Sequence, residues 1–497
     1  MGKWAVAACA ALVAASAGAD TIAVKAGRIY PVVDKPIENG VVLVRDGKIV
    51  EVGRDVRIPD DAKVLEFRDG VVTPGLIDAC CMLDSQIEEA SPRRVAREGP
   101  EFGRVQTPPA EAHGRLPRGV QGDDAGASGG GFWAELAAWA ADAERVATDA
   151  SGEAICECGL AEPHEHEPFA AALEPRALWG EQASEVVPHL RALDSVNLLS
   201  NDFKRLLREG VTTVYVCPDP SAVISARGAV VKTAGTLEQR VVQPAAAVRA
   251  ALGSDPSLRG RPNRPPRPRN VDLHVRRPTT RMGVEWVFRK AFHDARRVRE
   301  RGAPYGGADT APAEAFPVLE EILAGQPLRI QARPQHDILT ALRLAEEFKL
   351  RIVVDEAIEA YRALPQLKAA GVAVVYGPMF VTAPGFRRFT RDADEPRLDT
   401  PARLLETGIP FALTAMELRD EEGLVRQAMM AARYGLPAEA ALRAITQAPA
   451  ELLGLAERLG ALRPGLDADL VVWSGEPLEA TSRPRLVMVN GQVVHAQ

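Results

Sequence analysis

Beyond residue 20 the chain opens with short runs in which apolar and polar residues alternate: "TIAVKAGRIY", "GVVLVRDGKIVEVG" and "AKVLEFRDG". A period of two belongs to strands with one buried face, and the Gly- and Asp-bearing turns between them suit hairpins. The same texture returns at the far end, in "DADLVVWSG" and "PRLVMVNGQVVHAQ". Both ends are therefore β-rich and flank a long middle of different rhythm. The economical arrangement is a small β-sandwich built from both chain termini, with the middle inserted between them.

From residue 201 the pattern alternates between periods of 3.6 and short apolar runs. "DFKRLLREG" reads as a helix stopping at Gly210, and "VTTVYVCP" as a strand with Cys217 at its C-terminal end. The strands "QPLRIQA", "RIVVDE", "VAVVYGP" and "IPFALTA" follow, interleaved with the helices "DILTALRLAEEFKL", "AIEAYRALPQLKAAG" and "TPARLLETG". Two more helical stretches, "DEEGLVRQAMMAARYG" and "PAEAALRAITQAPAELLGL", close the series. Strands each followed by a helix make parallel βα units, which close into a barrel at this length. Residues 85–190 say less. They hold a Gly-rich loop, "RGVQGDDAGASGGG", and a helical stretch, "FWAELAAWAADAERVA".

The first residues carry a different signal. Met1-Gly2-Lys3, the apolar run Trp4–Ala15 and the small residues Ala17-Gly18-Ala19 have the layout of a secretory signal peptide over residues 1–19. The run is too short to span a bilayer, and no other segment has spanning length. A secreted or periplasmic protein is expected. The formal net charge of −7 calls for neither nucleic acid nor an anionic membrane. The Arg- and Pro-rich stretch at 260–270 lacks the interleaved aromatics of a base-stacking surface. A small-molecule ligand is the partner to look for, and a homo-oligomer stays open. Of six cysteines, cleavage would leave Cys80, Cys81, Cys156, Cys158 and Cys217.

Six stretches, taken in order, resemble the amidohydrolase superfamily and, within it, the imidazolonepropionase-like branch. They are "VVTPGLID", "REGVTTVYV", "PTTRMG", "HDILTALRLAEEFKLRIVV", "AALRAITQAPAELLGL" and "GALRPGLDADLVVWSG". The resemblance implies an α/β fold, a distorted (β/α)8 TIM-like barrel over residues 74–455. The β-sandwich would come from residues 20–73 and 456–497. It also implies zinc or a similar ion, held by histidines and an aspartate at the strand ends, that activates water against amide or cyclic-amide C–N bonds.

The residues at those positions break the pattern. The paired histidines after the first strand fall on Cys80 and Met82, the fifth-strand histidine on Gln331 and the sixth on Glu356, with Asp355 beside it. The eighth-strand aspartate falls on Ala415. Met is a soft, weak ligand, Gln a poor one, and Ala cannot bind at all. A hydrolytic zinc site needs about three protein ligands and an open position. The chain therefore reads as a degenerate relative that has lost its metal-hydrolase site, with no catalytic residue, metal or cofactor assigned. The alternative is an active C–N hydrolase with an atypical zinc site or a cysteine nucleophile.

Other positions could carry the lost chemistry. Cys156, Cys158, His164 and His166 are zinc-type ligands within eleven residues, but their spacing suits a polar loop better than a finger. Cys80 as a nucleophile would need a base, for which His336 is the nearest prospect. Lys232 in "GAVVKTAG" and Arg281 in "PTTRMG" could hold an anionic ligand, or equally form salt bridges that tie loops to the barrel. Cys80 and Cys217, at the ends of strands expected to be neighbours, are expected to form a disulfide, with two reduced thiols as the alternative.

Overall fold

The computed structural model describes residues 21–83, 184–257, 278, 280–307, 310–379, 396–416, 418–419 and 422–496. All of these belong to one of two compact units, Met1–Glu88 with Pro175–Gln497; the other unit, Glu89–Glu174, lies outside the described residues. Outside them too are the expected signal peptide, the helical stretch at 132–147, the loop at 260–270 and the Cys156/Cys158/His164/His166 cluster.

The N-terminal strands are β1 (Thr21–Ile29), β2 (Ile37–Arg45), β3 (Lys48–Gly53) and β4 (Lys63–Pro74). Asp46-Gly47 joins β2 to β3 with φ of +51° and +77°, the pair of left-handed residues a tight type I′ hairpin requires. In the barrel, β5 (Leu76–Cys81) and β6 (Val211–Val216) run parallel. Three short strands add antiparallel pairings: β7 (Ile224–Arg227), β8 (Ala229–Lys232) and β9 (Val241–Gln243). A parallel run then follows through β10 (Val248–Ala251), β11 (Leu328–Gln331), β12 (Ile352–Asp355), β13 (Ala373–Tyr376) and β14 (Phe411–Leu413). The C-terminal strands are β15 (Leu470–Trp473), β16 (Pro484–Val489) and β17 (Gln492–Ala496).

Both chain ends enter one seven-stranded sheet in the order β17-β16-β15-β4-β1-β2-β3. Val24, Val42 and Ile49 from one half pack in a single apolar cluster with Leu470, Val472 and Met488 from the other. The two termini thus form one hydrogen-bonded sheet around a shared core, where hairpin patterning alone suggests a two-layer sandwich. The barrel is built as two arcs, β5-β6-β8-β9 and β14-β13-β12-β11-β10-β7. This is the α/β, TIM-barrel-like architecture expected, in distorted form.

Alternation along the short barrel strands decides what faces inward. In β11, Leu328 and Ile330 join the outer cluster with Phe288, Leu344 and Phe348, while Arg329 and Gln331 point the other way. In β10, Val248 and Ala250 go out and Arg249 goes in. The outer cluster is covered by helices including α1 (Asn201–Arg208), α2 (Arg281–Arg301), α3 (Ala315–Leu323) and α4 (Gln335–Phe348). Further round are α5 (Leu364–Ala370), α6 (Thr400–Thr407), α7 (Leu424–Arg433), α8 (Ala438–Arg443) and α9 (Gln447–Leu452).

Two helices are shorter than the periodicity predicts. The stretch 357–371 is a 3-10 turn at Ala360–Arg362 followed by α5, because Pro365 sits in the first turn of the helix, where a missing N–H costs nothing. The stretch 437–455 is split into α8 and α9 around Thr446, whose hydroxyl bonds Leu442 O at 2.7 Å. Among the described residues no helix is long and apolar enough to cross a membrane.

Candidate functional site

The C-terminal ends of the barrel strands, where this architecture places its chemistry, hold a fully buried ionic layer. Arg329 projects inward from β11 and clamps Asp355 at the end of β12, with Nε 3.1 and 2.9 Å from the two carboxylate oxygens and Nη2 at 2.7 Å. Its guanidinium stacks over the Tyr215 ring, 4.1 Å from the centroid. The next residue, Glu356, takes φ +53°, and its carboxylate is paired with both Arg249 and Arg333. Arg333 also reaches Asp255 at 2.7 Å. Three guanidinium groups therefore interlock with three carboxylates, all nearly inaccessible to water.

Gln331 joins this layer as a donor. Its Nε2 bonds Asp255 Oδ2 at 2.7 Å and lies 3.4 Å from Glu356 Oε2. Burial pushes the Asp255 carboxyl above its ordinary range, against the pull of Arg333 and the Gln331 hydrogen bond. Burial alone would lower the arginine pKa values. For Arg329, Asp355 together with Tyr215 and Cys80 outweighs it; for Arg333, Asp255 and Glu356 do, so both stay charged. Asp219, in the loop after β6, is pushed up to about 6 by burial, partly offset by hydrogen bonds from Ser221.

Asp78 closes the barrel on the other side. Its Oδ1 accepts from Cys80 N at 3.0 Å and lies 2.6 Å from Thr414 Oγ1, and its Oδ2 accepts from Ala415 N at 3.1 Å. β5 and β14 are thereby joined through a side chain where the ladder is interrupted. Ala415 contributes only its backbone N–H.

The sulfur groups lie beside these two sets. The disulfide expected between Cys80 and Cys217 is absent; both are free thiols, as is Cys81. The register explains this: Cys81 pairs with Val216, so Cys80 and Cys217 meet on a diagonal and not directly across the strands. Burial first, and then contact with Cys217, pushes the Cys80 thiol well above its ordinary range. His336 cannot serve it as a base, because it stands on the surface with Nε2 3.3 Å from Asp337 while Cys80 is fully buried.

The two candidate ligand-binding residues hold ion pairs. Lys232 is fully buried, with Nζ 2.8 Å from Asp467, 2.9 Å from Asp469 and bonded to Asn490. Its three ammonium protons are thus taken up between β8 and the terminal sheet. Arg281 is the first residue of α2, and its Nε lies 3.0 Å from Asp337 at the start of α4, tying two helices together.

Sequence reading names Cys80, Met82, Gln331, Glu356 and Ala415, which lie in or just after β5, β11, β12 and β14. It misses Asp78, Asp255, Arg249, Arg329 and Arg333 as partners. A signal is present. Arg249 in "AVRAAL" and Arg329 in "PLRIQA" are charges inside strands too short and apolar to be exposed. Such charges need a buried counter-ion.

The metal this architecture suggests does not match these donors. Asp355 and Glu356 are committed to arginines, Gln331 presents an amide donor, Met82 a thioether and Ala415 nothing. Among the described residues no group of three or more His, Cys, Asp or Glu is placed to hold a metal ion.

Comparison with known proteins agrees with the architecture. The family model described as "Amidohydrolase family" matches residues 405–495. The chain is 25% identical to amidohydrolase tasK of Hapsidospora irregularis over 63% of its own length and 33% of the relative's. It is 29% identical to an imidazolonepropionase of Xanthomonas oryzae over 29% of the chain and 36% of that protein. An imidazolonepropionase of Hahella chejuensis is 26% identical over 68% of the chain and 83% of its own length. The chain thus spans only about a third of the length of the Hapsidospora and Xanthomonas relatives. The crystal structure of an amidohydrolase from Thermotoga maritima superposes with a TM-score of 0.65 at 26% identity, covering 96% of this chain and all of that one. The fold is that of the amidohydrolase superfamily, with imidazolonepropionases among its relatives at low identity.

Proposed function

We propose that this protein is an exported member of the imidazolonepropionase-like branch that no longer performs metal-dependent C–N hydrolysis and acts by binding a small molecule. One observation carries the reading: arginine cations occupy the carboxylates that a hydrolytic ion would need. Arg329 clamps Asp355, and Arg249 with Arg333 clamps Glu356. Removing one partner of a buried pair costs about 3–5 kcal/mol, so freeing either carboxylate for a metal carries that penalty first. A divalent ion roughly 4 Å from a guanidinium then meets a repulsion of about 8 kcal/mol at an effective dielectric of ~20. Two or three imperfect ligands do not offset terms of that size.

The alternative, hydrolysis by a Cys80 nucleophile, has the opposite difficulty. The thiolate is the reactive form, and burial holds Cys80 protonated, while His336 stands on the surface.

The test is the metal content and hydrolase activity of the purified full-length chain, with Cys156, Cys158, His164 and His166 replaced to silence that loop. Well under one zinc, iron or manganese ion per chain, with no turnover of N-acyl or cyclic-amide substrates, is the expected result. Near-stoichiometric divalent metal that persists in this variant and disappears on Cys80→Ala would overturn the reading.

A further inference from the structure

The guanidinium groups of Arg249, Arg329 and Arg333, buried at the strand ends, each hold a carboxylate. Arg240 does not. It closes the helical turn Leu237–Arg240 between β8 and β9 and is only 4% exposed, yet its contacts among the described residues are all neutral. Nε donates to Lys232 O at 2.9 Å, Nη1 donates to Leu198 O, and the guanidinium lies over the Phe203 ring, 4.3 Å from its centroid. Nη2 is buried and has no hydrogen-bond partner. A buried charge without a counter-ion is costly. Burial draws the Arg240 pKa down to about 10, and no acid opposes it.

An independent observation lies on the segment that this guanidinium touches. Leu198 and Phe203 stand on either side of Ser200, the N-cap of α1. A serine at that position ordinarily turns its hydroxyl oxygen to the N–H groups of the first turn. Ser200 is 6% exposed, and its Oγ makes neither a capping bond nor any other hydrogen bond. Arg240 grips the chain two residues before Ser200 and three after it. A guanidinium N–H, a hydroxyl and the positive end of an eight-residue helix are thereby gathered on one short stretch. An oxyanion accepts from donors of these kinds.

Charge and surface narrow the ligand. Asp202 in the first turn of α1 and Glu238 two residues before Arg240 add negative potential, which disfavours a dianion such as phosphate. One negative charge matches Arg240. Next to the donors in sequence, Leu199 is 73% exposed and Leu237, one turn before Arg240, is 51% exposed. An apolar body laid over them removes their surface from water.

We propose that Arg240 and Ser200 form a binding site for a small monocarboxylate with an apolar body. The carboxylate accepts from Arg240 Nη2 and Ser200 Oγ, and the body covers Leu199 and Leu237. Both donors are shielded from solvent, so the turn at 197–200, closed by Ser200 N on Asn197 O at 3.1 Å, shifts to admit the ligand. The site uses none of the strand-end residues. The inference therefore goes beyond the reading of lost hydrolysis and does not depend on it.

The full-length chain is titrated with 4-methylpentanoate and followed by ligand-observed NMR, with 4-methylpentanamide and inorganic phosphate as comparison ligands. One saturable site per chain is expected for the acid, with both comparison ligands at least about tenfold weaker. Arg240→Met should weaken binding about tenfold to a hundredfold, by loss of a charge-assisted hydrogen bond, and Ser200→Ala about fivefold. Absence of saturable binding overturns the proposal. So does equal affinity in an Arg240→Met chain whose circular dichroism matches the parent, or an amide or phosphate that binds as tightly as the acid. Should Arg240→Met fail to fold, Leu199→Glu keeps the test: this exposed substitution sets another acid beside the carboxylate and should weaken binding severalfold. Unchanged affinity in Leu199→Glu overturns the site. Dimerisation that Leu199→Glu abolishes, with no binding of the free acid, would assign Arg240 to a carboxylate of a second copy and equally overturn the small-ligand site.

Discussion

Replacing Arg329 by methionine removes the cation from the best-formed pair of the buried layer and leaves its partner in place. Asp355 is fully buried and receives Arg329 Nε at 3.1 and 2.9 Å and Nη2 at 2.7 Å. Stranding such a carboxylate costs about 3–5 kcal/mol. Lost stacking over Tyr215, at 4.1 Å, adds roughly 0.5–2 kcal/mol. Removing both charges, in Arg329→Met with Asp355→Leu, should recover most of the loss, because a hydrophobic pair of similar volume avoids the desolvation of both ions. Urea unfolding followed by circular dichroism at pH 5 and pH 8 measures all three chains. A single variant within about 1 kcal/mol of the parent at pH 8 would refute the reasoning, as would a double variant no more stable than the single one.

Asp219→Asn should stabilise the protein at pH 8 by up to about 3 kcal/mol, and by almost nothing at pH 4. The carboxyl is pushed up to about 6 by burial, so its favourable protonated state is present below the unfolded value and lost as pH rises through 6. Asn still accepts from Ser221 N, now at 2.7 Å; thermal melts across that range, with a pH-independent difference, would count against the assignment. Gly75→Ala places a methyl 2.1 Å from Thr212 Oγ1 and 2.5 Å from its Cγ2, and should cost about 1–3 kcal/mol. Thr212→Gly in the same chain, which also removes the Cβ that would stand 2.8 Å away, should relieve the clash, and equal melting of single and double variants would show that the clash is not the cause. Lys232→Met should cost about 3–5 kcal/mol in urea by stranding Asp469, while Asp467 keeps Lys48 and Arg458. Burial works against the Asp467 charge, but Lys232, with help from Lys48 and Arg458, holds its pKa at about 2, so a loss of stability below about 1 kcal/mol would exclude that role.

Periodicity along the chain is enough to read a β-rich frame from both ends and a run of βα units between them. The reason is local: alternation in β1 and β2, and a 3.6 period in α4, each record which face of one element is buried. The departures at Cys80, Met82, Gln331 and Ala415 are equally legible, since ligand chemistry belongs to the residue type. What replaces that chemistry is not. Arg249, Arg329 and Arg333 lie from 23 to 107 positions away from the acids they pair with. Nothing along the sequence states which inward-facing charge meets which. The Cys80–Cys217 geometry turned on a strand register irregular between Asp78 and Cys81, and Lys232 on the arrival of Asp467 and Asp469 from the far end of the chain. The sequence by itself determined the elements and the loss of the hydrolytic ligands, because both are properties of single residues and their nearest neighbours. Only the tertiary structure decided that arginines take the carboxylates and that sulfur gathers beside them, because buried charges and thiols act on whatever folding brings within a few ångströms.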